Sequence, residues 1–164
     1  MAKKIDPLNR KMYGAASAML TVSDMIAAVS FYQKALGFKK RGLMKGPDGK
    51  PMHAELRLRD TTLMLGPESA EWGMKGPQAL GGSPVTLYLY VENVDKVFAK
   101  AVQLGAQTVW PVMDQFWGDR AGTLADPQGH RWCIGTHKAE PTPAEMKKKF
   151  KEQMAAHAAS GAGA

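Results

Sequence analysis

The chain has 164 residues, a net charge of +7, 45% hydrophobic and 23% charged residues, the profile of one soluble domain or two very small ones. No run of about eighteen apolar residues exists, which excludes a membrane-spanning helix, and the N-terminus lacks the apolar stretch of a signal peptide. A single cysteine, Cys133, excludes an intrachain disulfide framework and fits a reducing, cytoplasmic setting.

The positive charge does not mark a nucleic-acid surface. Residues 1–12 hold +3 (Lys3, Lys4, Arg10 and Lys11 against Asp6), residues 139–164 hold +1, and the remaining +3 is scattered. A nucleic-acid binder concentrates its basic residues in a stripe or recognition motif of the folded part. The lysines at 147, 148, 149 and 151 instead read as the solvated face of a helix.

Residues 1–13 read as a polar arm. Ala15 to Val22 alternates as a strand, and a helix follows from about Asp24 to Leu36, with Ser23 or Asp24 as its N-cap and Gly37 where a C-cap belongs. Phe38 to Met44 is a strand, Gly46-Pro47-Asp48-Gly49 a turn, and Met52 to Leu58 a second alternating strand. Its apolar face carries Met52, Ala54, Leu56 and Leu58; His53, Glu55 and Arg57 lie on the other. Thr61 to Leu65 completes the group. Residues 68–83 are dense in glycine and proline and read as a linker. Val85 to Val91 is then a strand, Val94 to Leu104 a helix closed by Gly105, and Thr108–Val112, Arg120–Ala125 and Arg131–Thr136 are three strands. Thr142-Pro143-Ala144-Glu145 is a capping box that opens a last helix, with Met146, Phe150 and Met154 on one face. Residues 158–164 are rich in Ala and Gly and predict fraying.

These elements repeat. Val22-Ser23-Asp24 and Val91-Glu92-Asn93 are 69 residues apart, as are Met64-Leu65-Gly66 and Cys133-Ile134-Gly135. A shared offset at separate landmarks indicates a duplicated β-α-β-β-β module. The expected organisation is an α+β domain over 14–138, with module one at about 14–67, module two at 84–138, and a C-terminal helix and flexible tail over 139–164.

Strand parity assigns the faces. Leu20, Val22, Leu63, Leu65, Leu87, Leu89, Val91, Trp132 and Ile134 share the parity that packs beneath the helices. Ser17, Met19, Met64, Thr86, Tyr88, Arg131 and Cys133 then point the other way. A three-residue slip at the turn matches Leu58 with Leu124 and sets His53, Glu55 and Arg57 against Asp119, Ala121 and Thr123. Trp110, Phe116 and Trp117 either stack on a flat ligand at the mouth of this site or fill an interface.

The tandem modules, with Asp24, Ser30-Phe31-Tyr32, Leu36-Gly37, the tract Asp114-Gln115-Phe116-Trp117-Gly118-Asp119-Arg120 and the turn Asp126-Pro127-Gln128-Gly129, resemble the vicinal-oxygen-chelate superfamily of glyoxalase I, bleomycin-resistance proteins and extradiol dioxygenases. The second module is similar to its PhnB-like branch. The resemblance implies a glyoxalase/bleomycin-resistance fold: tandem βαβββ modules curl a mixed sheet into a cup, and a homodimer is expected. Metal-dependent relatives carry His or Glu on the first and last strands of each module. Those positions here are Ser17, Met64, Thr86 and Cys133, and Ser, Met and Thr are poor ligands for Zn²⁺, Ni²⁺ or Fe²⁺.

Two functions are therefore expected. One is a metal-free binder of a small molecule, of the drug-sequestering or resistance type, using Ser17, Met19, Met64, Thr86, Tyr88, Trp117, Arg131 and Cys133. The other is a metal-dependent lyase or dioxygenase-like enzyme with a divalent metal at a relocated site, where His53 and Glu55 project together at i, i+2 and Asp119 joins them as catalytic candidates. His130 and His137 read as loop braces, and Cys133 as an inert buried thiol unless a histidine pairs with it.

Overall fold

A computed structural model describes residues 6–9 and 12–159. Lys3, Lys4, Arg10, Lys11 and the last five residues of the expected fraying tail lie outside the described residues. Module one comprises β1 (Ala18–Val22), α1 (Met25–Lys34), β2 (Lys39–Lys45), β3 (Pro51–Leu58) and β4 (Thr61–Pro67). A short helix, α2 (Pro77–Leu80), sits in the segment read as linker. Module two comprises β5 (Thr86–Tyr90), α3 (Val94–Gln103), β6 (Gln107–Asp114), β7 (Asp119–Ala125) and β8 (Arg131–His137), and α4 (Pro143–Ala159) follows.

Each module folds its strands into a four-stranded sheet, ordered β1-β4-β3-β2 in the first and β5-β8-β7-β6 in the second. The first and last strands pair in parallel, Met19 beside Met64 and Tyr88 beside Cys133, and the other pairings are antiparallel. The architecture is thus the α+β fold with tandem βαβββ modules that the repeat predicts; its two mixed sheets do not close into one barrel.

The helices start where side chains replace missing backbone partners. Asp24 Oδ1 accepts from the backbone N–H groups of Ile26 and Ala27, both at 2.9 Å, and Asn93 Oδ1 accepts from that of Lys96 at 3.0 Å. Under the helices lies one continuous core: Leu20, Val22, Leu56, Leu63 and Leu65 of module one with Leu89, Phe98, Leu124, Trp132 and Ile134 of module two. Trp132 joins the halves, its ring centre 5.5 Å from that of Tyr32 and 6.1 Å from that of Phe38.

A buried carboxylate fastens the modules. Asp126 is 4% exposed. It accepts from Tyr32 Oη at 2.6 Å, Trp132 Nε1 at 3.0 Å and the backbone N–H groups of Gln128 and His130. The Tyr32 phenol is held far above its ordinary pKa, first by burial and then by the Asp126 charge. From the same turn Gln128 Oε1 accepts from the N–H and hydroxyl of Ser23 and the N–H of Asp24, at the start of α1. His130 Nε2 donates to the Thr21 carbonyl at 2.9 Å, so it braces this junction.

One register differs from the sequence expectation. Leu56, which is fully buried, pairs with Leu63, and Leu124 pairs with Trp132; positions 63 and 132 are 69 apart, so Leu56 rather than Leu58 is the counterpart of Leu124. The slip is one residue, not three. Glu55 therefore corresponds to Thr123, and Asp119 falls opposite Pro51, not His53. Leu56 and Leu58 lie two residues apart on the same face, so the residue type alone does not separate them; the cross-strand pairs do.

Candidate functional site

On the face of each sheet turned away from its helix, equivalent rows run across three strands. In module one the row is Met19, Met64 and Glu55; in module two it is Tyr88, Cys133 and Thr123. Parity thus places these residues as the sequence predicts, but the two rows have different surroundings.

The first row lies under the chain's N-terminal segment. The Met12 carbonyl accepts from Arg57 Nη1 at 2.9 Å, Thr62 Oγ1 at 3.3 Å and Arg41 Nη1 at 3.4 Å. Tyr13 Oη donates to Glu55 Oε1, Arg41 sits 3.6 Å from the other carboxylate oxygen, and the guanidinium stands 5.9 Å from the centre of the Tyr13 ring. The hydrogen bond to Glu55 raises the Tyr13 pKa. His53 Nε2 is 3.8 Å from Glu55, beyond hydrogen-bond reach. Glu55 is thus occupied by Tyr13 and Arg41, and Asp119 stands in the other module's sheet. The three catalytic candidates are not brought together.

The second row opens onto a cavity of about 550 Å³. Trp110, Met113, Gln115, Phe116, Trp117 and Cys133 line it from the sheet and its β6–β7 turn, and Phe150, Gln153 and Met154 of α4 line it from above. Among the described residues no charged side chain lines it. Of the predicted ligand-binding residues, Trp117 and Cys133 are walls of this cavity; Ser17, Met19, Met64, Thr86, Tyr88 and Arg131 are not. Tyr88 lies one strand over, paired with Cys133. Thr86 and Arg131 pair across the exposed end of β5 and β8.

Asp119 fixes the floor. It is 2% exposed. Its Oδ2 accepts from Tyr88 Oη at 2.7 Å, Tyr90 Oη at 2.9 Å and Trp117 Nε1 at 3.0 Å, while Oδ1 accepts from His137 Nδ1 at 2.9 Å. Burial pushes its pKa up, but the bonds from His137, Tyr88, Tyr90 and Trp117 outweigh that and hold it below the usual carboxylate value. With four donors on one carboxylate, Asp119 positions aromatic side chains and has little basicity left for a substrate. Burial and the bond to Asp119 raise the Tyr88 phenol strongly, so it stays protonated. Gly135 makes room for that ring: a Cβ there would lie 2.7 Å from Tyr88 Oη. Gly66, its counterpart in module one, faces the flexible ends of Met19 and Met74 instead.

Cys133 is a poor nucleophile here. Burial raises its pKa, against smaller lowering by Thr123 and Tyr88, so the thiol is protonated at neutral pH. Arg120 pairs with Asp95 at 2.8 Å and Asp114 at 3.3 Å rather than with its neighbour Asp119. At the positions that the resemblance assigns to a metal, Ser17, Met64 and Thr86 are weak donors, and among the described residues no three His, Cys, Asp or Glu side chains are grouped to hold one.

Met113, Gln115, Gln153 and the α4 side of the cavity were not apparent as site residues in the sequence. The stripe of Met146, Phe150 and Met154 announced an apolar helix face but not where it docks. Phe116 makes the connection, its ring centre 4.9 Å from Trp117 and 5.0 Å from Phe150.

Comparison with known proteins agrees with this architecture. The profile of the Glyoxalase/Bleomycin resistance protein/Dioxygenase superfamily matches residues 14–134. An uncharacterised protein of Mycobacterium bovis is 40% identical over 142 residues, covering 85% of this chain and 93% of that protein. Among solved structures, TioX from Micromonospora sp. ML1 is similar with a TM-score of 0.59 and 22% identity, covering 74% of this chain and 98% of that one. A glyoxalase/bleomycin resistance protein/dioxygenase family enzyme from Burkholderia phytofirmans gives 0.61 and 19% identity over 74% of this chain and 96% of its own. At these identities the two solved structures speak for the fold alone. The chain belongs to the glyoxalase/bleomycin resistance protein/dioxygenase superfamily.

Proposed function

We propose that this protein binds a small, flat, uncharged molecule in the module-two cavity, as a metal-free binder of the drug-sequestering or resistance type rather than a metal-dependent lyase or dioxygenase. The observation that carries the reading is the cavity: about 550 Å³, with Trp110, Met113, Phe116, Trp117, Phe150 and Met154 around it and, among the described residues, no charged wall. That volume suits a drug-sized molecule, and apolar walls with a few polar groups are usual for such sites. An ion entering it would lose its hydration without a partner. The Asp119 cluster supports the same reading, because it holds Trp117 and Tyr88 in place without offering a free base. In this proposal the protein is a cytoplasmic homodimer of the PhnB-like branch, with no resident cofactor.

Thermal unfolding in the presence of uncharged planar aromatic compounds, charged analogues and divalent metals tests it. A ligand at about a hundred times its Kd stabilises the native state by about 2.7 kcal/mol. Stabilisation is expected from the uncharged compounds and should disappear in Trp117→Ala. Metal retained stoichiometrically after purification and lost on His53→Ala would instead establish the relocated metal site and refute the proposal.

A further inference from the structure

Helix α4 lies outside both the repeat and the matched superfamily region, yet it forms one wall of the cavity. Its root is fixed. The N–H groups of Lys138 and Ala139 donate to the Gly118 carbonyl at 2.9 and 3.0 Å, and Gly118 packs so closely that a Cβ would lie 2.0 Å from the Ala139 oxygen. Thr142 and Glu145 close the first turn reciprocally: the Thr142 N–H donates to Glu145 Oε2 at 2.8 Å and the Glu145 N–H to Thr142 Oγ1 at 3.3 Å.

The body of the helix is held far less. It meets the sheet side through the edge-on Phe116–Phe150 pair and through one long hydrogen bond, Gln153 Nε2 to Gln115 Oε1 at 3.4 Å. Phe150 and Met154 face the cavity and remain 45% and 50% exposed. A pinned root with a loosely seated apolar stripe has surface left to bury when a third body enters. Lys147, Lys148, Lys149 and Lys151 are exposed and keep the outer face in water.

We propose that α4 is a ligand-closed clamp, and that Phe150, Gln153 and Met154 set what the cavity accepts: an uncharged planar ring system carrying an N–H or O–H donor at its edge. This deepens the binding function proposed above and rests on it. The ring is covered by Phe150 and Met154 on one side and by Trp117 and Met113 on the other. The edge donor meets Gln153, which among the described residues makes only the bond through its Nε2, leaving its carbonyl oxygen to accept. Charged ligands are rejected because none of the described wall residues pairs with them.

The test uses the full chain and N-phenyl-1-naphthylamine, a neutral fluorophore with a planar naphthalene ring and one N–H, beside its sulfonated analogue 1-anilinonaphthalene-8-sulfonate in 0.5 M salt. Binding is read by fluorescence and α4 by amide hydrogen exchange. The neutral probe is expected to bind at least tenfold more tightly than the sulfonate and to slow exchange across residues 146–156. Phe150→Ala/Met154→Ala is expected to weaken it tenfold or more and speed its release, with Phe150→Leu recovering most of the loss. Helix content by circular dichroism separates a lost contact from a lost helix.

If Trp117→Ala abolishes binding while the α4 variant binds normally and exchange in α4 is unchanged, the cavity reading stands and the clamp is refuted. Loss of binding in neither variant refutes both. Equal affinity for the sulfonate refutes the uncharged class. A light-scattering mass that doubles in step with α4 protection, without probe, shows that a second copy covers the stripe and refutes the clamp.

Discussion

Asp119→Asn changes the site's central carboxylate without changing its shape. Four side-chain donors converge on it, at 2.7 to 3.0 Å. A hydrogen bond to a charged group contributes roughly 1 kcal/mol more than its neutral equivalent, which for four bonds gives about 4 kcal/mol. Tyr88, Tyr90 and His137 are each about half exposed, so water replaces part of what they lose. Halving the sum leaves about 2 kcal/mol, or a fall in Tm of roughly 4–8 °C for a chain of this length. The pH dependence has a definite sign. The folded pKa of Asp119 lies below its unfolded value, so the stabilisation is present above about pH 3.9 and is lost as pH falls through the folded pKa. Urea unfolding followed by circular dichroism should therefore show a deficit of the variant at pH 7 that shrinks below about pH 4. A deficit under about 0.5 kcal/mol at pH 7, or one that does not shrink in acid, would refute the assignment of Asp119 as the charged anchor of this site.

Gly135→Val should push the Tyr88 ring off Asp119, because the new side chain needs the space that ring occupies; loss of the near-ultraviolet circular dichroism of the Tyr88–Tyr90 pair, with secondary structure retained, is the expected result. Gly66→Ala meets only flexible methionine ends and should cost under about 1 kcal/mol, so the two equivalent glycines should differ clearly in thermal stability. Glu55→Gln removes the main cause of the raised Tyr13 pKa, and ultraviolet titration should then show one tyrosine moving back toward about 10. Gly118→Ala combines a φ of +99° with a clash at Ala139 and should loosen the root of α4, read as faster amide exchange over residues 139–146.

The duplication was legible because both copies keep their helix caps and last-strand glycine at one offset, and strand parity gave the faces for a physical reason. A shift of two residues, such as the one between Leu58 and Leu56, leaves every side chain on the same side of the sheet. The face assignment therefore tolerated a wrong register. What parity does not contain is which face a terminal segment covers. Tyr13 takes Glu55, the Met12 carbonyl takes Arg57, and α4 roofs Cys133, through contacts between residues far apart in the chain. The donors to Asp119 come from positions 88, 90, 117 and 137, with no spacing that would mark them as a set. A helix stripe such as Phe150 and Met154 shows that a partner surface exists and leaves its address to the tertiary fold.

The turn that carries Asp126 also ties the fate of one module to the other. Two side chains from one four-residue turn hold the buried hydroxyl of Tyr32 and the opening backbone of α1, so melting module two would strip module one of both. Neither half can open while its twin stays intact. Though built from two copies of one pattern, the chain should unfold as a single unit in calorimetry, its van't Hoff and calorimetric enthalpies equal.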